Sequence, residues 1–196
     1  MVAPLLAIQS IPQAVPDLTG VAALAFTSAN GVAAFAALTS DRTRPVFTVG
    51  DTTARAAREV GFTQVRSAAG GLDRLAALLL AQPSGASPLL VPGALEPAGD
   101  LPALLRGRVE AAALPVYVAV ETGAAAPGAF EAVLIHSARA ARALATLGPF
   151  RGQTAVALSA AAADPLGDCS GLEIRLARTP DEAALLAALG NPARRV

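Results

Sequence analysis

The segment Ala23-Leu24-Ala25-Phe26-Thr27-Ser28, which leads into a stretch of helical spacing, has a counterpart in Ala132-Val133-Leu134-Ile135-His136-Ser137, which does the same. The offset between the two persists along the chain. It brings Val49-Gly50 onto Leu158-Ser159, Val65-Arg66 onto Ile174-Arg175, and the leucine-rich stretch 72–80 onto 181–189. An alanine-rich chain can match itself once by chance. Four matches in one register describe a duplicated unit, and such a chain folds as two similar lobes.

The class of lobe follows from hydrophobic patterning. Short apolar runs recur at 5–8, 22–26, 46–49, 89–91, 116–120, 132–135 and 155–158. Runs of this length without alternation predict strands buried on both faces. The first ends at Pro12, where a strand would lose a ladder donor. Between the runs lie Ala/Leu/Arg segments with helical spacing, such as Leu72, Leu75 and Leu79, or Leu101, Leu104 and Leu105, often opened by Asp or Thr. Strand and helix alternate, so the expected fold is α/β with parallel, Rossmann-like or flavodoxin-like sheets.

Composition narrows the function. With 196 residues, 54 % apolar and 15 % charged, the chain can bury a core. A net charge of +0 and a pI near 6.6 argue against nucleic acid or an anionic membrane as partner. Cys169 and His136 are the sole cysteine and histidine, which excludes an intramolecular disulfide and a metal cage built from those residues, and the chain suits a reducing cytoplasm. No lysine is present, so neither a Walker lysine nor a Schiff base is available, and no Gly-x-Gly-x-x-Gly follows a strand. The uncharged stretch 18–40 is long enough to span a bilayer. Its middle reads Thr27-Ser28-Ala29-Asn30-Gly31, which is expensive in hydrocarbon and ordinary where a strand turns into a helix. Residues 1–16 carry prolines and no basic segment, unlike a secretory signal.

In open parallel sheets ligands lie beyond the carboxyl ends of the strands. Here those ends carry Thr27 to Gly31, Gly50-Asp51-Thr52-Thr53 and Ser137, each leading into a helix. Such residues either cap the helix or, with its exposed N–H groups and positive end, hold an anion. Asp51 is expected to cap. His136, ending an apolar strand, is expected to be a packed or hydrogen-bonded core residue, and Cys169 an inert loop thiol. Tyr117, the sole tyrosine, stands in a strand between the repeats, where it either anchors packing or offers its hydroxyl to a cleft. No pair of acids, and no acid with histidine, stands out at a strand end.

Several short motifs, in order, resemble the uroporphyrinogen-III synthase family. Phe26-Thr27-Ser28-Ala29-Asn30-Gly31-Val32 is similar to its F-T-S-x-x-(G/A)-V motif, and Val49-Gly50-Asp51-Thr52-Thr53-Ala54 with Gly61-Phe62 to V-G-x-x-T-A with G-(F/L). Gly99-Asp100-Leu101 through Leu105, then Val116-Tyr117, resembles the segment leading into the family's V-Y strand. The tail from Ala177-Arg178-Thr179-Pro180-Asp181 to Leu186 resembles A-x-x-P-(T/S)-x-x-x-L-L, so the likeness covers about residues 4–190.

That resemblance implies two α/β lobes, one inserted in the other and joined by two strands, here 5–8 and 116–120. The inserted lobe would span 10–117, and 1–9 with 118–196 would form the second. It implies a cytoplasmic, monomeric lyase that needs no cofactor or metal and closes hydroxymethylbilane, a linear polycarboxylate tetrapyrrole, with inversion of ring D. By position, Ser28, Thr53 and Ser137 would bind substrate, and Tyr117 would help its hydroxyl depart.

The sequence also departs from the family pattern. The family's first strand and helix, with a T-R-P motif, have no counterpart; either the start is misassigned or the chain is naturally short, and in the second case an apolar sheet edge or face is expected to be uncovered. In the second repeat G-x-x-T-A becomes Ser159 to Ala163, the arginine of an R-G pair becomes Pro92, and the threonine after the V-Y tyrosine becomes Ala119. Each change removes a donor or a cation. A second reading is therefore a catalytically silent homologue that holds a linear tetrapyrrole or another polycarboxylate without converting it.

Overall fold

Residues Ala23, Leu24, Ala25 and Phe26 are all fully buried, and alternate side chains enter different cores. Leu24 and Phe26 pack with Val32, Phe35, Val46 and Phe62, while Ala23 and Ala25 pack with Phe47, Leu75, Leu79 and Leu89. A strand apolar on both faces needs helices on both, and that requirement organises the larger part of the molecule.

The computed structural model describes residues 4–82, 86–123, 130–179 and 181–190; Pro180 of the tail motif lies outside them. Contacts divide the chain into two compact units, one of Ile8–Ala119 and one of Met1–Ala7 with Val120–Val196. The larger unit carries β2 (Ala23–Phe26), α1 (Ala29–Leu38), β3 (Val46–Thr48), α2 (Asp51–Glu59), β4 (Val65–Ser67), α3 (Leu72–Leu80), β5 (Leu89–Ala94) and α4 (Leu101–Leu105). Two strands, β1 (Leu6–Ser10) and β6 (Ala111–Glu121), run through both boundaries between the units.

The six-stranded sheet has the order β1-β6-β5-β2-β3-β4. The pairs β2–β3, β3–β4, β2–β5 and β5–β6 are parallel. By contrast β1 runs against β6, since Ile11 N–H donates to Val116 O and Thr122 N–H to Leu5 O, both at 3.0 Å. The expectation of a strand buried on both faces at 5–8 is corrected here. Among the described residues β1 has only β6 beside it, and Ile8 is 47 % exposed.

The second unit repeats the first half of this plan. Its β7 (Ala132–Ile135), α5 (Ala138–Ala145), β8 (Gln153–Ala157), α6 (Ala160–Ala163), β9 (Leu172–Leu176) and α7 (Glu182–Leu189) form a three-stranded parallel sheet ordered β7-β8-β9. The duplication extends to the ladder. Leu24↔Val46 and Val46↔Val65 in one sheet become Val133↔Ala155 and Ala155↔Ile174 in the other. One core cluster fills this unit, with Ile135, Leu144, Ala155 and Leu166 at its centre. Among the described residues β7 has no partner on its outer side, and Ala132, Val133 and Leu134 are only half-buried.

Helix starts follow the caps. Ser28, Ser137 and Ser159 are extended N-cap residues, each accepting the backbone N–H three residues on. Asp51 is not a cap, contrary to expectation. Gly50 occupies that position and Asp51 is the first helical residue, where its charge suits the positive end of α2. Among the described residues no helix is long and apolar enough to cross a membrane.

Candidate active site

Strand order locates the crevice. From β2 the chain moves to β3 and β4 on one side of the sheet, then returns to β5 and β6 on the other. The helices that leave β2 and β5 pack on opposite faces, with Val32 and Phe35 of α1 in one core and Leu101 and Leu105 of α4 in the other. Strands diverging in this way leave an opening beyond their carboxyl ends.

At that opening stand Ser28, Pro92-Gly93 and Tyr117. Ser28 has extended backbone (φ −156°, ψ 153°), and its Oγ accepts the Gly31 N–H at 3.1 Å. The same Oγ lies 3.0 Å from the Tyr117 hydroxyl. Tyr117 is 8 % exposed, so its ring is packed in the core and its oxygen reaches the strand end. The packing reading of Tyr117 describes its ring, and its hydroxyl meets Ser28.

A β-bulge explains how Tyr117 arrives there. β5 pairs Gly93 with Pro115, but the next residue, Ala94, pairs with Tyr117, so β6 carries one extra residue. Consecutive residues of a regular strand point to opposite faces, yet Val116 and Tyr117 both enter the core under α1. Leu95 N–H then donates to Tyr117 O at 2.8 Å and fixes the shifted register. Gly31 completes the seat. A Cβ there would stand 2.9 Å from Pro92 O and 3.4 Å from Ser28 Oγ, so only glycine lets α1 approach β5 this closely.

The other candidates are placed as follows. Thr53 lies in the first turn of α2, 6 % exposed, at the carboxyl end of β3 beside β2. Ser137 belongs to the other unit, where it caps α5 through Ala140 N–H at 3.2 Å. His136 is corrected from core residue to surface partner. Its side chain is 52 % exposed, and Nε2 lies 2.9 Å from Glu182 Oε2 in the first turn of α7. Cys169 is a free, half-buried thiol against the smaller unit's core. Among the described residues no three His, Cys, Asp or Glu side chains gather as a metal site requires.

What sequence reasoning missed is the close packing of Gly31 on Pro92 and Gly93, residues noted only at a strand end and as a departure from the family's R-G pair. The signal was present, since a Pro-Gly pair inside an apolar run marks an irregular strand. The gathered polar atoms are neutral: two hydroxyls and a helix-start N–H. They can hydrogen-bond a ligand or pass it a phenolic proton, and they are poorly suited to abstracting a proton from carbon.

The family model described as "Uroporphyrinogen-III synthase HemD" matches residues 1–187. No curated protein sequence matches. Among solved structures, the uroporphyrinogen-III synthetase of Helicobacter pylori is 21 % identical, with a TM-score of 0.69 over 93 % of this chain and 88 % of that one. A mutant uroporphyrinogen III synthase from the extremely thermophilic bacterium Thermus thermophilus is 17 % identical, with a TM-score of 0.57 over 96 % and 87 % of the respective chains. Those structures share the fold, and the family match, which takes in Ser28, Thr53, Tyr117 and Ser137 alike, identifies the chain as a member of the uroporphyrinogen-III synthase family.

Proposed function

We propose that this chain closes hydroxymethylbilane into uroporphyrinogen III, inverting ring D and releasing water. The observation that carries the reading is the buried Tyr117, whose hydroxyl meets Ser28 at 3.0 Å at the switch point of the larger sheet. In this mechanism Tyr117 gives its proton to the departing hydroxyl of the substrate, which leaves as water and an azafulvene cation. Ring D attacks through its substituted carbon to a spiro intermediate, which fragments and recloses with the ring inverted. The pyrrole proton lost on closure restores the phenol. The substrate is reactive by itself, so the protein chiefly selects one closure over another by holding the chain's fold.

Neutral donors fit that task. Thr53 and the N–H groups at the starts of α1 and α2 would take substrate carboxylates from the larger unit, and Ser137 from the other. The reading has no cofactor step, and it places the enzyme in the cytoplasm as a monomer. The test is to supply freshly generated hydroxymethylbilane, oxidise the products and separate the uroporphyrin isomers. Type III in excess of a protein-free control is expected. Type I alone from folded protein would overturn the reading in favour of a silent homologue.

A further inference from the structure

We infer that Ser28 is a positioning residue for Tyr117 and not a substrate contact: its hydroxyl donates to the phenol oxygen, so that the Tyr117 proton is left free for the departing group. This rests on Tyr117 acting as the acid.

The argument is one of hydrogen-bond capacity. A serine hydroxyl has one proton and two lone pairs. One lone pair of Ser28 Oγ is taken by Gly31 N–H at 3.1 Å, and the Tyr117 hydroxyl occupies a second direction at 3.0 Å. Either oxygen could donate in that second contact. The choice is biased by the start of α1, because the positive end of a ten-residue helix beside Oγ favours electron density moving onto the serine and its proton moving outward. A phenol is intrinsically the stronger donor, so Ser28 takes the donor role when the departing group accepts the Tyr117 proton, and the Gly31 N–H already polarises the serine for it. With Ser28 donating, the phenol oxygen is an acceptor and its own O–H points elsewhere. When that proton leaves, the Ser28 O–H remains aimed at the oxygen that gains negative charge.

The surroundings hold this geometry. Ser28 is fixed as an N-cap, Gly31 keeps α1 against Pro92 O, and the bulge opposite Gly93/Ala94 sets the direction of Tyr117. A substrate carboxylate would have to displace Tyr117 from Ser28 to bind there. Losing Ser28 should therefore resemble a weakened Tyr117 rather than a lost binding contact.

Two measurements test this on the full chain. In the first, rates of type III formation are compared for wild type, Ser28→Ala, Tyr117→Phe and the double variant. Tyr117→Phe should lower kcat about a hundredfold and Ser28→Ala about tenfold, within the range of general acid catalysis, with KM nearly unchanged. The double variant should fall no further than Tyr117→Phe, and Ser28→Thr should restore most of kcat. A raised KM with kcat kept, or losses that multiply in the double variant, would overturn the inference. Ser28→Gly removes the hydroxyl while keeping an acceptable N-cap residue, and replaces Ser28→Ala where that variant unfolds.

The second measurement is independent of turnover. Tyr117 is the only tyrosine in a chain without tryptophan, so the intensity ratio of its Raman Fermi doublet reports the donor or acceptor state of one phenol. Ser28→Ala should change that ratio and Ser28→Thr return it. An unchanged doublet overturns the pairing even in a protein that makes type III, whereas a wild type that makes no type III fails the proposed function and leaves the doublet to decide the contact by itself.

Discussion

The two repeats share cap geometry and ladder register, yet β2 is buried along its length and β7 is not. The difference lies in their neighbours. β2 has β3 on one side and β5 on the other, and β5 carries the sheet on to β6. β7 has β8 alone among the described residues. A strand, a capped helix and a serine at the turn thus occur twice, but among the described residues the divergence of strands that opens a crevice occurs only where β5 lies beside β2. Equivalent serines consequently have different partners: Ser28 meets Tyr117, while Ser137 caps α5.

The second contrast is on the outer strands. α2 runs through Asp51–Glu59 and, with Phe62 beyond it, shields β4, where Val65 is half-buried. Its counterpart α6 stops at Ala163, and Pro165 follows in a 3-10 turn. Ile174 and Leu176 on β9 are left 36 % and 49 % exposed. Pro165 stands where α2 has Ala56, inside the helix. Proline there removes a ladder donor and clashes with the preceding turn.

Exchanging these two residues should give the largest effect. Ala56→Pro should destabilise the larger unit by about 3 kcal/mol or more, followed in urea by the fluorescence of Tyr117, which reports that unit. Pro165→Ala should lengthen α6, raise far-ultraviolet helicity and change stability by less than about 1 kcal/mol. Equal effects at the two sites would show that helix continuity is not what separates the repeats.

A smaller asymmetry is expected at Arg42 and Arg151, which precede β3 and β8 at matching positions. The Arg42 guanidinium donates to Ala36, Thr39, Asp41 and Val60 carbonyls and stacks 5.0 Å from the Phe62 centroid. It ties together the ends of α1 and α2. Where the first repeat has Phe62 the second has Gly171, and Arg151 is exposed. Arg42→Ala should cost about 2 kcal/mol, and Arg151→Ala no more than about 0.5 kcal/mol. Comparable losses would mean that the carbonyl contacts, and not the shared position, contribute little.

Gly31 and Ala140 test the role of β5 more directly. They are equivalent in the repeat, but among the described residues only α1 has a strand passing by its first turn. Gly31→Ala should therefore destabilise by roughly 1–3 kcal/mol despite its better helix propensity. Ala140→Gly should lose only about 1 kcal/mol, the propensity difference. A stabilising Gly31→Ala would show that Pro92 moves aside without penalty.

How much of this was legible follows from the range of each interaction. The caps at Ser28 and Ser137 were readable because they depend on three residues of sequence. β4 and β9, too short and mixed for an apolar run, were not read as strands, although the repeat matched Val65-Arg66 with Ile174-Arg175. Strand order was not readable, since β5 joins β2 through contacts between Ala23 and Leu89 that no local pattern encodes. The Ser28–Tyr117 contact was beyond reach for the same reason, and so was the Glu182 that draws His136 to the surface. Asp51 misled because an acid at a helix start serves as cap or as first-turn charge, and only backbone geometry distinguishes them.

The smallest expected effect concerns the third helix of each repeat. α3 begins on Gly71 with no side-chain cap, whereas α7 begins on Asp181, whose Oδ1 accepts Ala184 N–H at 2.9 Å. Bonds from Thr179 first, and then from Ala184, hold the Asp181 carboxyl below its usual range. A carboxyl lowered on folding contributes stability that is fully present above its unfolded value, about 3.9, and is lost as the pH falls through the folded one. Acid should accordingly release the cap of α7 and leave the start of α3 unaffected. Amide exchange at Ala184, corrected for its intrinsic pH dependence, should lose protection as the pH drops below about 3.9, while Leu75 near the start of α3 keeps its own. Asp181→Asn, which keeps an N-cap acceptor without a titrating group, should abolish the pH dependence at Ala184, and its persistence in that variant would show that the Asp181 cap does not carry the acid response.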